Sequence, residues 1–128
     1  MREARAQGIP VVPVPGPSAI VTALSASGLA ADGFVFDGFL PVKPGKRLNR
    51  LKALREVGTT IVLYESPHRI VATVTAIGEV FGEVELVLAR ELTKQYEEIV
   101  TATPAVHLAR LAAAPPRGEF TLAIPATA

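Results

Sequence analysis

Four stretches of the sequence concentrate side chains that can bind or react. The densest is Tyr64-Glu-Ser-Pro-His-Arg69, which sets a carboxylate, a hydroxyl, an imidazole and a guanidinium within five positions. Such a set can move protons, orient a substrate hydroxyl or hold an anion. It also reads as a plain helix start, with Ser66 as the N-cap and Arg69 in solvent. The second stretch is Ala89-Arg-Glu-Leu-Thr-Lys-Gln-Tyr-Glu-Glu98, where charges alternate in sign. It fits either a polar site or an exposed, ion-paired connection. The third, Pro13-Val-Pro-Gly-Pro-Ser-Ala19, stiffens the chain just before a helical pattern. Backbone amides at such a helix start attract anions or polar ligand edges, although a simple linker would look the same. The fourth is cationic. Lys43, Lys46, Arg47, Arg50, Lys52 and Arg55 put six of the thirteen basic residues into thirteen positions, with no acidic residue among them. This patch can face phosphates. The six do not share one helical face, however, and the stems of Arg47 and Arg55 can simply cover a leucine stripe.

Composition closes several other routes. The chain has 128 residues, 49% hydrophobic and 20% charged, enough for a packed core without disulfides or metals. It contains no Cys, which excludes thiol nucleophiles, Cys-based zinc sites and iron–sulfur clusters. Its two histidines, His68 and His107, are far apart and in no ligand-like spacing, so no metal is expected. The formal net charge is +1, so any contact with nucleic acid must be local. No apolar run reaches the length of a membrane span and nothing resembles a signal peptide; a soluble, cytoplasmic protein without membrane contact is expected. Glycine fingerprints of the dinucleotide or Walker type and a Gly-x-Ser-x-Gly elbow are absent from the sequence.

The elements that must position these groups follow from periodicity and from proline and glycine punctuation. Ile9 to Pro15 is β-branched but carries three prolines, so it reads as a short edge strand running into a linker. A helix starts at Gly16-Pro17-Ser18 and ends at Gly28. Strands are expected at Phe34–Phe39, Thr59–Tyr64, Val84–Ala89, Tyr96–Thr101 and Phe120–Ile124. Helices are expected at Lys46–Val57, from Pro67 to Gly78, and from Pro104 to Ala114 with Thr103 as N-cap. The rough alternation gives an α/β class. Two successive strands between Val84 and Thr101 argue for a mixed five-stranded sheet flanked by helices. The first and second polar stretches, Tyr64–Arg69 and Ala89–Glu98, then lie at the same sheet edge, beyond strand ends, where open α/β sheets bind ligands.

The ordered set Val11-Val-Pro-Val-Pro-Gly-Pro-Ser-Ala19, Ala23-Leu-Ser-Ala-Ser-Gly28, Phe36-Asp-Gly-Phe-Leu-Pro41, Tyr64-Glu-Ser-Pro-His-Arg69 and Ala89-Arg-Glu-Leu-Thr-Lys94 with Glu97-Glu98 resembles the rRNA-methylating branch of the tetrapyrrole methylase superfamily, the class III methyltransferases. The resemblance runs from about Gly8 to Ile124. The family's glycine-rich loop and Gly-Asp segment do not occur here, so the chain resembles the C-terminal half alone. Residues 1–16 would be a remnant of the N-terminal domain's last strand and linker, and 17–128 the C-terminal tetrapyrrole methylase-like domain.

The resemblance implies methyl transfer from S-adenosylmethionine to the ribose 2′-hydroxyl of a cytidine in 16S rRNA of the small ribosomal subunit, by a homodimer. It implies Pro15, Ser18, Ala19, Tyr64, Glu65, Gly118, Glu119 and Phe120 as the cofactor-binding wall. For the hydroxyl base or for ordering the RNA it points to Glu65, His68, Arg69, Arg90, Glu91 and Lys94. Lys43, Lys46, Arg47 and Arg50 become candidate contacts to the RNA backbone. Two alternatives stay open: a methylase of the same superfamily acting on a small tetrapyrrole-type molecule, and a binding or dimerisation module without catalysis of its own.

Overall fold

The computed structural model describes residues 1–126. Along the chain come α1 (Arg2–Ala6), α2 (Ala19–Ser27), β1 (Phe34–Gly38), α3 (Pro44–Val57), β2 (Thr60–Glu65), α4 (Ile70–Phe81), β3 (Leu86–Arg90), β4 (Glu98–Ala102), α5 (Pro104–Ala113) and β5 (Phe120–Ile124). The five strands form one mixed sheet in the order β1-β2-β5-β3-β4. β1 and β2 run parallel, while β2–β5, β3–β5 and β3–β4 are antiparallel. The expected mixed five-stranded sheet is therefore present. Its last strand in sequence is its middle strand in space.

Side chains alternate along each strand and so sort onto two faces, and β2, β3 and β5 are buried almost continuously on both. Ile61 and Leu63 of β2, Leu86 and Leu88 of β3, and Phe120, Leu122 and Ile124 of β5 face a core closed by α3, α4 and α5. From those helices come Leu51 and Leu54, then Ile70, Val74 and Ile77, with Leu108 and Leu111 packed beside them. α2 packs on β5 and β4, burying Ala23 and Leu24. Gly28 ends it in the left-handed conformation, φ 73°, which a side chain would resist. Thr103 caps α5 as expected, its hydroxyl accepting from the Val106 N–H.

Two expectations are corrected. The segment Ile9–Pro15 forms no strand; residues 9–18 have no regular secondary structure and are largely exposed, with the Ile9 N–H donating back to the Ala4 carbonyl at 2.9 Å. Three prolines remove the donors that a ladder would use. Ser66 does not cap α4. Residues 67–69 form a turn in which the Ser66 carbonyl accepts from the Arg69 and Ile70 N–H groups at 3.1 and 3.0 Å, and α4 starts three residues later than Pro67 suggested.

Candidate functional site

The ends of β2 and β3, the start of β5 and the first residue of α2 meet around a cavity of about 470 Å3. Ala19, Tyr64, Glu65, Glu91, Lys94, Glu119 and Phe120 line it, so seven residues from four separate stretches of sequence share one wall. Phe39, Ser66, Leu92 and Thr121 complete it; of these only Ser66 was singled out by type, as one of the polar groups of the Tyr64–Arg69 stretch. Phe39 follows Gly38, whose φ of 68° turns the chain at the end of β1. It is 59% exposed, yet its ring meets that of Tyr64 edge-on at 6.1 Å, and Phe36 meets Tyr64 at 4.8 Å. An aromatic just past a strand-ending glycine was the signal available.

The β3–β4 connection is tied down by its own charges. Glu91 Oε1 accepts from the Glu119 N–H at 2.9 Å, and Glu91 Oε2 lies 2.8 Å from Lys94 Nζ. The Glu91 N–H in turn donates to the Glu119 carbonyl at 3.2 Å, extending the β3–β5 ladder by one step. Glu97 accepts from the Thr93 N–H at 2.9 Å. Glu91 and Thr93 hold positive φ, 50° and 66°, a conformation that side chains adopt only when the surroundings enforce it. The Lys94 ammonium, then the Glu119 amide, hold the Glu91 carboxyl below the usual carboxylate range, and Glu91 raises Lys94 in return. Gly118, φ 76°, makes this possible: a Cβ built there would overlap the Glu91 carboxylate. Gly118 does not touch the cavity. It clears the space in which Glu91 sits.

Glu65 has a different place. It lies on the core face of β2 and is 1% exposed. Its Oε1 accepts from the Ser66 N–H at 2.8 Å and its Oε2 from the Thr73 hydroxyl at 2.7 Å. Arg69 Nε stands 3.6 Å from Oε1, and Arg69 Nη2 donates to the Leu40 carbonyl at 2.6 Å. A buried carboxylate with both oxygens engaged anchors the Tyr64–Arg69 turn; it is not a base open to a substrate. His68 is exposed and does not line the cavity. Arg90 points away from it, toward the carbonyl of Arg117. Pro15 and Ser18 lie on the exposed approach to α2, with Ser18 as its N-cap residue.

The basic patch divides. Arg47 is only 7% exposed and donates to the carbonyls of Pro41 at 3.3 Å and Val42 at 3.0 Å, so it holds the β1–α3 loop. Arg50 makes a two-pronged pair with Asp37. Arg55 donates to the Val80 carbonyl at 3.0 Å. Arg47 and Arg55 are thus committed to backbone carbonyls, whereas Arg50, its side chain 47% exposed, holds Asp37 at the surface. Lys43, Lys46 and Lys52 are exposed and their ammonium groups have no partner among the described residues.

Comparison with known proteins gives a consistent set of likenesses. Residues 1–106 match the family model described as tetrapyrrole (corrin/porphyrin) methylases. The chain is 48% identical over 124 residues to the ribosomal RNA small subunit methyltransferase I of Mesorhizobium japonicum, covering 95% of this chain and 42% of that protein. It is 50% identical over 100 residues to the protein of the same name from Pseudomonas aeruginosa, covering 77% and 36%. The chain thus spans well under half the length of these curated relatives. Among solved structures it resembles the methyltransferase CobJ, TM-score 0.68 at 18% identity over 98% of this chain and 56% of that one. It also resembles the cobalamin biosynthetic enzyme cobalt precorrin-4 methyltransferase, TM-score 0.63 at 17% identity over 95% and 55%. At such identities the likeness is one of fold.

Proposed function

Starting from the premise that this chain belongs to the tetrapyrrole methylase family, we propose that it forms one wall of an S-adenosylmethionine site in a methyltransferase acting on RNA of the small ribosomal subunit. The observation that carries this reading is the convergence of Ala19, Tyr64, Glu91, Lys94, Glu119 and Phe120 on one cavity beyond the carboxyl ends of β2 and β3. The RNA substrate is supported by the names of the relatives that match most of this chain. The finer assignment, the 2′-hydroxyl of a cytidine in 16S rRNA, rests on the motif set and is part of the proposal. So are a homodimer working in the cytoplasm and RNA phosphates held by Lys43 and Lys46. Residues 17–128 are proposed as the catalytic-wall domain and 1–16 as a connecting segment. This division is supported by residues 1–16 burying no side chain.

The cavity suits the cofactor. Phe39, Tyr64 and Leu92 offer apolar faces to a planar ring, Lys94 suits a carboxylate, and Glu91 and Glu119 suit cationic groups. When bound, S-adenosylmethionine supplies an electrophilic methyl group on a sulfonium. The residues of this wall supply order. Glu91, held low by Lys94, stays ionised at neutral pH, and Lys94 stays protonated. Neither is tuned to accept a hydroxyl proton. As a fixed ion pair they orient charged parts of the ligand, and the positively twisted loop at Glu91 and Thr93 keeps them in register. Positioning of this kind can lower a bimolecular barrier by several kcal/mol, roughly 7–11 in the best cases.

Calorimetric titration of the chain with S-adenosylmethionine tests the wall. Saturable one-site binding is expected; no heat at high protein concentration rejects a preformed site. A methyl-transfer assay offering small ribosomal subunits and a corrinoid precursor side by side tests the substrate. Label in RNA is expected, and label in the corrinoid alone would install the tetrapyrrole reading.

A further inference from the structure

Phe120 lines two cavities. The second, of about 320 Å3, opens between the ends of β3 and β4, the last turn of α5 and Pro115-Pro116. Its floor is apolar, made by Leu88, Leu111 and Phe120, and its rim carries Arg90 and Arg110. Arg110 Nη2 donates to Glu98 Oε1 at 2.7 Å, with both side chains partly in solvent. Arg90 makes one long bond, 3.4 Å, from Nη1 to the Arg117 carbonyl. Its other donors have no partner among the described residues. Arg117 itself is exposed beside it. Against the two rim guanidiniums, Arg90 and Arg110, stand Glu98 and the carbonyl end of α5, the latter equivalent to about half a negative charge. The balance is a cationic rim over an apolar floor.

That combination has the chemistry of a nucleotide seat. Guanidinium forks take phosphate oxygens in two-pronged fashion, and an apolar floor takes a base or ribose face. Its location adds a second argument. Arg90 reaches this groove, while the next residue, Glu91, lines the cofactor cavity. On the β5 side the Arg117 carbonyl meets Arg90 and the Glu119 amide meets Glu91, repeating the division. The two cavities are therefore separated by a single step of the β3–β5 ladder. We propose that this groove is an RNA subsite, holding a phosphate and nucleotide adjacent to the one whose ribose enters the cofactor cavity. The proposal rests on the RNA reading above. It puts Arg110 and Arg117, on which that reading does not draw, among the RNA contacts.

The test is fluorescence anisotropy with a labelled single-stranded RNA oligonucleotide over a range of salt. Arg110→Gln combined with Arg117→Gln is expected to weaken binding about tenfold, and to flatten the slope of log affinity against log salt by about 0.7 per arginine. Glu98→Gln removes the carboxylate that competes for Arg110 and is expected to tighten binding about threefold. A purely structural ion pair would not give that gain. Arg110→Lys should retain the salt slope, and thermal melts should show all variants folded. S-adenosylmethionine binding should be unchanged in each. If wild type binds RNA and the double variant binds it equally well with the same slope, the groove assignment falls and the RNA reading stands. If wild type binds S-adenosylmethionine but no RNA at low salt, both fall.

Discussion

Gly118→Ala is the sharpest single-residue probe of the cofactor wall. The change imposes strain at φ 76° and drives a methyl group into the Glu91 carboxylate, so Glu91 must leave the Glu119 amide and Lys94. A loss of at least about 1 kcal/mol of stability is expected, together with roughly tenfold weaker S-adenosylmethionine binding by calorimetry. A variant that melts and binds like wild type would show that Glu91 is not seated as described. Glu65 gives the contrasting case. From its polar neighbourhood in the sequence Glu65 reads as a candidate base, but the structure makes it an anchor. Glu65→Ala strands the Ser66 amide, the Thr73 hydroxyl and the Arg69 guanidinium. It should cost about 3 kcal/mol or more, read as a lowered denaturation midpoint. Unchanged stability with lost methyl transfer would restore the base.

At the scale of elements, α5 is held to the sheet by a buried imidazole. His107 is fully buried, and its Nε2 stands 2.7 Å from the Leu86 carbonyl on β3. Burial pushes its pKa below the ordinary value of 6.5, and Arg110 one turn on adds to that, outweighing the Leu86 bond. The folded state therefore binds this proton less readily than the unfolded chain does. The contribution of a neutral His107 to stability is complete above about pH 6.5, and is lost progressively as pH falls below it. Denaturation midpoints at pH 8 and pH 5 should differ more for wild type than for His107→Leu. Equal pH dependence in the two proteins would remove His107 from the account. The helix itself was legible from Thr103-Pro104 and the apolar spacing behind it. What the histidine does was not, because its partner lies on a strand 21 residues away.

At the scale of the whole molecule, the second face of the sheet is buried at its centre, at Val62, Val87 and Ala123, but open along the β1 edge. α3, α4 and α5 close the first face, whereas Phe34 and Phe36 of β1 are each 41% exposed. Exposed aromatic surface of this kind promotes association. Sedimentation velocity should show mass rising with protein concentration, and Phe34→Ser with Phe36→Ser should hold the protein monomeric. A wild-type monomer at every concentration would sink the homodimer in its simplest form. No described helix is long and apolar enough to cross a membrane, and 42% coverage of a relative leaves most of that protein's length beyond this chain.

The sequence by itself determined the alternation of elements, the mixed sheet and the stretches that carry the polar groups. Those properties are local: periodicity, proline, glycine and capping residues act within a few positions. Tertiary structure decided which groups meet. The final strand enters between β2 and β3, and that single non-local pairing brings Glu119 to Glu91 and Phe120 to Tyr64's end of the sheet. It also decided which charges remain free. Arg47 and Arg50 look the same as Lys43 and Lys46 in a list of cations. A planar fork with several donors suits two loop carbonyls or both oxygens of a carboxylate, so Arg47 took the Pro41 and Val42 carbonyls and Arg50 took Asp37, while the lysines stayed in solvent.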